Sequence, residues 1–285
     1  MKRVSFSAVL VALVLSITTP SSGVTILIRD DFVGTDGTTL LGTSPTVNAA
    51  GNNWVAFVTA ITTGTTFETD SSLDVAKIAG TSAPGRAIEL NLAGLNTNEL
   101  LTVSASMRFD LNGATVGTGT VGSRTSAGVG FFSSGPGTST STREAVGHFS
   151  GFALGPKNAA NPTTLALKLI NNNSTPNPAH YNNSTVLAQL DYTGSRLASD
   201  YHDLIYTVDT STGSLLSVVL DGQSYNFGTQ TFFTNTNTAW FGVHSGPSTP
   251  IGYFDFVQLA VVPEPVASSI MALGFVAIFR FRRRH

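Results

Sequence analysis

The chain has 285 residues, of which 41% are apolar and 11% charged, with a formal net charge of −2; this is a globular composition long enough for one large, well-buried domain. Most of the basic excess sits at the two ends: residues 23–262 keep nine basic against sixteen acidic side chains, a net of −7, which excludes a basic patch for nucleic acid. The absence of cysteine excludes thiol catalysis, Cys-ligated zinc, iron–sulfur clusters and disulfides.

The N-terminus opens on the basic Met1-Lys2-Arg3, runs through the apolar Val4–Ile17, and reaches the small and turn-forming residues Thr18 to Gly23. This order of charge, apolar run and small residues predicts a secretory signal peptide over 1–23, with cleavage near Gly23. The apolar run is too short for an ordinary membrane span.

From 24 to 260 the apolar period is two. In Leu100–Leu111, Leu101, Val103, Ala105, Met107, Phe109 and Leu111 share one face, while Thr102, Ser104, Ser106, Arg108 and Asp110 share the other. That alternation predicts a long strand with one buried face. Before it, strands are predicted at Thr25–Ile28, Trp54–Thr59, Leu73–Ile78 and Arg86–Leu92. After it come Ala127–Phe132, Val146–Leu154, Thr164–Ile170, Thr185–Tyr192, Leu204–Asp209, Leu215–Leu220, Ala239–His244 and Tyr253–Val261. The run Asp209-Thr210-Ser211-Thr212-Gly213 reads as a hairpin connection, and Asp221-Gly222 as the next turn. No stretch of the body has a convincing helical period. The expectation is an all-β fold, a two-sheet antiparallel jelly-roll sandwich.

The last segment, 261–285, has its own grammar. Pro263-Glu264-Pro265 precedes an apolar run over 266–279, and Arg280, Arg282, Arg283 and Arg284 follow it. As a helix the run is about 21 Å long, short against a hydrocarbon core of about 30 Å unless the flanking arginines snorkel. The prolines mark its start, and the arginines hold its end on the cytoplasmic side with the body outside.

Two resemblances follow from these residues. The tail, with its Pro-Glu-Pro motif, short transmembrane segment and arginine-rich end, resembles the PEP-CTERM sorting signal. That implies recognition by an exosortase, an inner-membrane peptidase or transpeptidase, in a bacterium that makes extracellular polysaccharide. It also implies export through the inner membrane, a transient anchor, and then a place at the cell surface or outside it. In the body, Arg29-Asp30-Asp31-Phe32, Gly34 to Leu40, Asn53-Trp54, the strand–turn–strand of Leu204–Gly222 and the final Gly252-Tyr253-Phe254-Asp255-Phe256-Val257 together resemble a concanavalin A-like, laminin G-like jelly roll. Such folds pair their first and last strands, which implies that Asp30 or Asp31 approaches Asp255.

Several constellations bear on chemistry. Gly117-Thr118-Gly119-Thr120-Val121-Gly122 matches a dinucleotide fingerprint in letters, but no helix pattern follows it and a loop is the better reading. His148, His180, His202, His244 and His285 show no metal-ligand spacing, and no Gly-x-Ser-x-Gly elbow supports a serine hydrolase; surface or sheet-face histidines are expected. The Glu-x-Asp-x-x-Glu strand of laminarinase-like relatives is absent, and no two glutamates of the body cluster in sequence. Calcium is the candidate cofactor, with Asp30, Asp31 and Asp255 as oxygen ligands; the competing reading gives these aspartates backbone amides as partners. Glycan contact is assigned to Tyr181, Asn182, Asn183 and Tyr201, whereas Trp54 and Trp240 are expected in the core. The leading functional expectation is a non-catalytic envelope or matrix protein that binds extracellular polysaccharide. The alternatives are a carbohydrate-active hydrolase with an unrecognised carboxylate pair, and a purely structural matrix protein.

Overall fold

The computed structural model describes residues 24–56, 65–70, 75–80, 86–97, 99–110, 126–133, 149–158, 161–171, 185–192, 200–231, 233–234, 238–245 and 251–262. Every regular element among these is a strand. In chain order they are β1 (Thr25–Asp30), β2 (Val47–Asn48), β3 (Val55–Ala56), β4 (Thr65–Asp70), β5 (Val75–Gly80), β6 (Arg86–Asn91), β7 (Leu100–Asp110) and β8 (Ala127–Phe132). They continue as β9 (Phe149–Asn158), β10 (Asn161–Asn171), β11 (Thr185–Asp191), β12 (His202–Asp209), β13 (Ser214–Leu220), β14 (Gln223–Ser224), β15 (Trp240–Ser245) and β16 (Ile251–Val261).

The strands form two antiparallel sheets. A nine-stranded sheet runs β14-β13-β12-β7-β16-β1-β2, with β5 also paired to β16 and β4 to β5. A seven-stranded sheet runs β11-β10-β9-β8-β15-β6-β3. The end strands do pair: β1 lies against β16 with Asp30 opposite Val257. The other part of the same β16 edge, Gly252–Phe254, takes β5. The expected all-β antiparallel sandwich is therefore present, and its cause is visible in β7. Leu101, Val103, Ala105, Met107 and Phe109 are all buried, while Thr102, Ser104 and Arg108 are half-exposed.

One continuous core joins the inner faces. Val103, Met107, Leu204, Tyr206, Val257 and Leu259 of the larger sheet meet Ile88, Leu90, Val129, Phe131, Phe152, Phe241 and Val243 of the smaller. Each large apolar side chain so buried contributes about 1.5–3 kcal/mol. The polar tip of Tyr206 is satisfied across the core, where its hydroxyl donates to Val129 O at 3.2 Å.

Three strands escape the sequence pattern. β2 and β14 have two residues each, and β4 reads Thr-Thr-Phe-Glu-Thr-Asp, a polar strand on the rim of its sheet. The predicted strand at Trp54–Thr59 is described only as Val55–Ala56, since 57–64 lie outside the described residues. The same holds for the expected signal peptide 1–23, the Gly117–Gly122 run, and the tail with Pro263, Glu264, Pro265 and Arg280, Arg282, Arg283 and Arg284. Among the described residues no helix is long and apolar enough to cross a membrane.

Candidate functional site: the outer face of the seven-stranded sheet

In β15, Phe241 and Val243 enter the core, so Trp240, Gly242 and His244 take the outer face. The same alternation places Ala87, Glu89 and Asn91 of β6 outward, because Ile88 and Leu90 are core. Strand register then arranges the outer face in three rows. The first is Asn91, Trp240, Phe132, Phe149. The second is Glu89, Gly242, Gly130, Gly151, Ile170. The third is Ala87, His244, Gly128, Ala153, Lys168.

The glycines make the face what it is. A Cβ at Gly130 would stand 2.5 Å from Ser150 O and 3.0 Å from the Phe149 ring, and one at Gly151 would be 2.6 Å from Val129 O and again 3.0 Å from Phe149. A Cβ at Gly128 would fall 2.2 Å from His244 Nε2. The rings of Phe149 and His244 therefore lie against bare backbone, which only glycine permits. They meet each other edge to face with centroids 4.4 Å apart, and Phe132 joins at 5.3 Å. Ala87, Phe132, Phe149, Ala153 and Ile170 form a separate buried cluster, with the half-exposed Trp240 packed on it.

Ionisable groups sit inside this apolar setting. Glu89 is fully buried and neither carboxyl oxygen has a hydrogen-bond partner. Desolvation pushes it up to about 9, so it is a neutral carboxylic acid at pH 7. His244 is buried, neither ring nitrogen is bonded, and burial lowers it to about 4. Lys168 is buried too; its ammonium donates to Pro156 O at 3.2 Å, and desolvation brings it down to about 7. A buried polar group without a partner costs about 1–3 kcal/mol. Glu89 and His244 thus hold unused hydrogen-bonding capacity within the buried face, His244 against the Phe149 ring.

The residues singled out in the sequence lie elsewhere. Asp30, Asp31 and Asp255 do not gather into an oxygen cage, although their strands pair as the jelly-roll resemblance implied. Asp30 points inward and accepts from Trp54 Nε1 at 2.7 Å and Phe32 N at 3.0 Å. Asp31 takes the Arg29 guanidinium at 2.6 Å, and Asp255 is exposed at a bulge in β16, where its charge also acts on Arg29. The cation those two carboxylates face is Arg29, which they hold in its charged form. Among the described residues no group of three or more His, Asp or Glu side chains is placed to hold a metal ion. Tyr201 directly precedes β12 of the other sheet. It flanks Arg108, whose guanidinium lies 5.3 Å from its ring and 4.1 Å from that of Tyr253. Tyr181, Asn182 and Asn183 lie outside the described residues. Trp54 is core, as expected, but Trp240 stands half-exposed on the outer face. His202 is neither on the surface nor free: its Nδ1 lies 2.6 Å from Asp221 Oδ2 with the ring buried.

Sequence reading missed Glu89, His244 and Lys168 because, in an alternating strand, a polar residue on the non-core face reads as solvated. The available signal was the glycine content of Ala127–Phe132, with Gly128 and Gly130 on one face, repeated by Gly151 and Gly242 on other strands. A strand face stripped of side chains marks a place where something else lies close.

No family model matches the chain, and no curated protein does. Among solved structures it is similar to the Emp47p carbohydrate recognition domain at 13% identity, covering 85% of this chain and 99% of that one, with a TM-score of 0.45. A legume lectin-like domain from Entamoeba histolytica matches at 9% identity over 81% and 99%, with a TM-score of 0.43. Arcelin-5, a lectin-like defence protein from Phaseolus vulgaris, matches at 9% identity over 81% and 96%, also with a TM-score of 0.43.

Proposed function

We propose that this is an exported protein of a bacterial envelope whose sandwich, a concanavalin A-like jelly roll, binds extracellular polysaccharide without cleaving it, and whose PEP-CTERM tail is processed by an exosortase. The observation that carries the binding half is the edge of the outer face of the seven-stranded sheet, where the half-exposed Trp240 ring, packed on a buried aromatic cluster, stands opposite the half-exposed Asn91. A sugar ring presents both complements, an apolar C–H face and a rim of hydroxyls. The delivery half rests on the order of features at the two chain ends.

The non-catalytic reading rests on carboxylate spacing. Glycoside hydrolysis uses two carboxyl groups roughly 5–10 Å apart. On this face, among the described residues, the other carboxylate is Asp191 of β11, paired with Ala166. It stands five strand spacings from Glu89, about 24 Å.

The test is a glycan array of bacterial exopolysaccharides probed with the purified chain, with reducing-end release measured on every ligand retained. Retention without release is expected; release that is abolished by replacing a carboxylate would establish a hydrolase instead. Delivery has a separate test. Replacing Pro263-Glu264-Pro265 by alanines in an exosortase-bearing host should leave the precursor unprocessed, and unchanged maturation refutes it.

A further inference from the structure

We propose that the cavity at the partly open edge of β13 is a second glycan site, which takes one uncharged sugar ring from the end or a branch of the polysaccharide. The ligand's identity rests on the polysaccharide-binding reading above; the site and the charge class rest on the residues that line the cavity.

β13 pairs with β12 along its length, but β14 covers only Val219 and Leu220 on its other side. Beyond β14 the chain bows away and returns. Tyr225 N donates to Val218 O at one end of the bow and Leu215 N to Gln230 O at the other, both at 2.9 Å. Between these ties lie Leu216 and Ser217 of β13 but four residues of the bow, Asn226 to Thr229, so the two backbones part. The bow is shaped locally: Asn226 Oδ1 accepts from Gly228 N at 2.7 Å, and Gly228 takes a φ of 70°. Phe227 turns inward and packs on Phe152 with ring centroids 5.0 Å apart. On the strand side, the β12–β13 register slips at Leu216, an extra residue whose side chain stays 54% exposed. A cavity of about 320 Å³ lies between bow and strand.

The lining grades from core to solvent. Val218 and Phe227 are buried, Leu215 and Tyr225 are half-buried against the same core, and Leu216 is exposed at the mouth. The cavity thus opens to solvent over an apolar floor. Ser217, Ser224 and Asn226 are exposed polar residues of the same lining. Each hydroxyl can donate and accept, and Asn226, with Oδ1 engaged, still presents Nδ2. An aromatic ring and aliphatic side chains beside a few hydroxyl and amide groups match the C–H face and hydroxyl rim of a sugar. A purely apolar ligand would strip water from those groups without replacing it. None of the lining side chains is charged at neutral pH, so a uronate or an amino sugar would lose hydration with no counter-ion in the site. The volume lies at the low end of the roughly 300–1,000 Å³ of ligand pockets, which suits a single ring rather than a length of chain.

The test uses the full chain in lipid nanodiscs, since detergent would compete for an apolar cavity, and saturation-transfer NMR with methyl glycosides: neutral hexosides, a glucuronide and a glucosaminide. Cyclohexanol is the apolar control. A neutral hexoside should bind best. Tyr225→Ala and Leu216→Asp should each weaken it about tenfold or more, while Tyr225→Phe, which keeps the ring, should hold affinity within about threefold. Leu216 is exposed, so Leu216→Asp should melt within about 2 °C of the parent, and its loss of binding is not unfolding. Failure of every glycoside overturns the proposal, as does preference for a charged sugar or for cyclohexanol. Hexoside binding untouched by Tyr225→Ala and Leu216→Asp also overturns it. The outer-face reading fails separately. A hexoside should fill the cavity without shielding Trp240 from acrylamide, whereas the polysaccharide should shield Trp240 in the parent and Leu216→Asp chains alike. Shielding by the hexoside would move the sugar to the outer face and refute the cavity. Failure of every glycoside and of the exopolysaccharide array removes both readings.

Discussion

Glu89 titrates in the opposite sense to most carboxylates that stabilise a fold. Its ordinary value is 4.5, and burial raises it to about 9 in the folded chain. Between those values the folded state holds a proton that the unfolded state has released, so rising pH favours unfolding through this window. Gln cannot ionise, so Glu89→Gln should gain stability over the parent chain, with the gain near zero at pH 4.5 and largest near pH 9. His244, lowered to about 4, acts in the other direction between about pH 4 and 6.5, but it is common to both proteins and cancels in the comparison. Paired urea melts across this range are the check, and a pH-independent difference would contradict the buried neutral carboxyl. Asp30 supplies a second test. It serves Phe32 N, the indole of a fully buried tryptophan and the Thr46 side chain, so Asp30→Ala should cost about 3 kcal/mol. A loss below about 1 kcal/mol would mean that water or a neighbour replaces it.

At the scale of elements, two features set the precision of the fold. The β12–β13 hairpin is closed at its far end by Asp221, a non-glycine residue with φ of 48°. Its carboxylate accepts from Tyr192 Oη at 2.9 Å and Asp203 N at 2.8 Å and pairs with His202. These bonds hold Asp221 below the usual carboxylate range against the opposing effect of burial. Its stabilisation is therefore present above the ordinary value and is lost as pH falls through the depressed one. Asp221→Ala should cost about 3 kcal/mol, read from chemical denaturation. The second feature is Gly242, where a Cβ would stand 2.1 Å from Ile88 O. Gly242→Ala should push β15 from β6 and cost about 2–3 kcal/mol, while a tolerated alanine would refute that close approach. Much at this scale was legible in the sequence. β8 matches its predicted bounds, β7 and β13 match within a residue, and the Asp209–Gly213 and Asp221-Gly222 turns fall where they were read. The end-strand pairing was legible only through the jelly-roll resemblance. The outer face was not legible, because its meaning depends on which strands become neighbours. Glu89, Gly130, Gly151 and Ile170 come from four strands and share one row only after the sheet forms. The separation of the aspartates assigned to calcium has a related cause. Asp30 and Asp255 lie in paired strands, but one side chain turns into the core and the other to solvent.

For the molecule as a whole, the net −7 of residues 23–262 disfavours polyanionic partners and points to binding that owes little to long-range charge. Affinity for a neutral polysaccharide should change by less than about twofold between low and high salt, since a Debye length of about 10 Å at 0.1 M screens only charged partners; a steep salt dependence would indicate a polyanion instead. The central claim, that polysaccharide docks on the outer face of the seven-stranded sheet, is open to a direct optical measurement because the chain has two tryptophans. Trp54 is fully buried and Trp240 half-exposed at the rim of the aromatic cluster, so an aqueous quencher such as acrylamide reports chiefly on Trp240. Titrating a polysaccharide retained on the array should shield Trp240 and lower the quenching slope in parallel with occupancy. Full occupancy with Trp240 as quenchable as before would place the ligand elsewhere on the molecule and contradict the account.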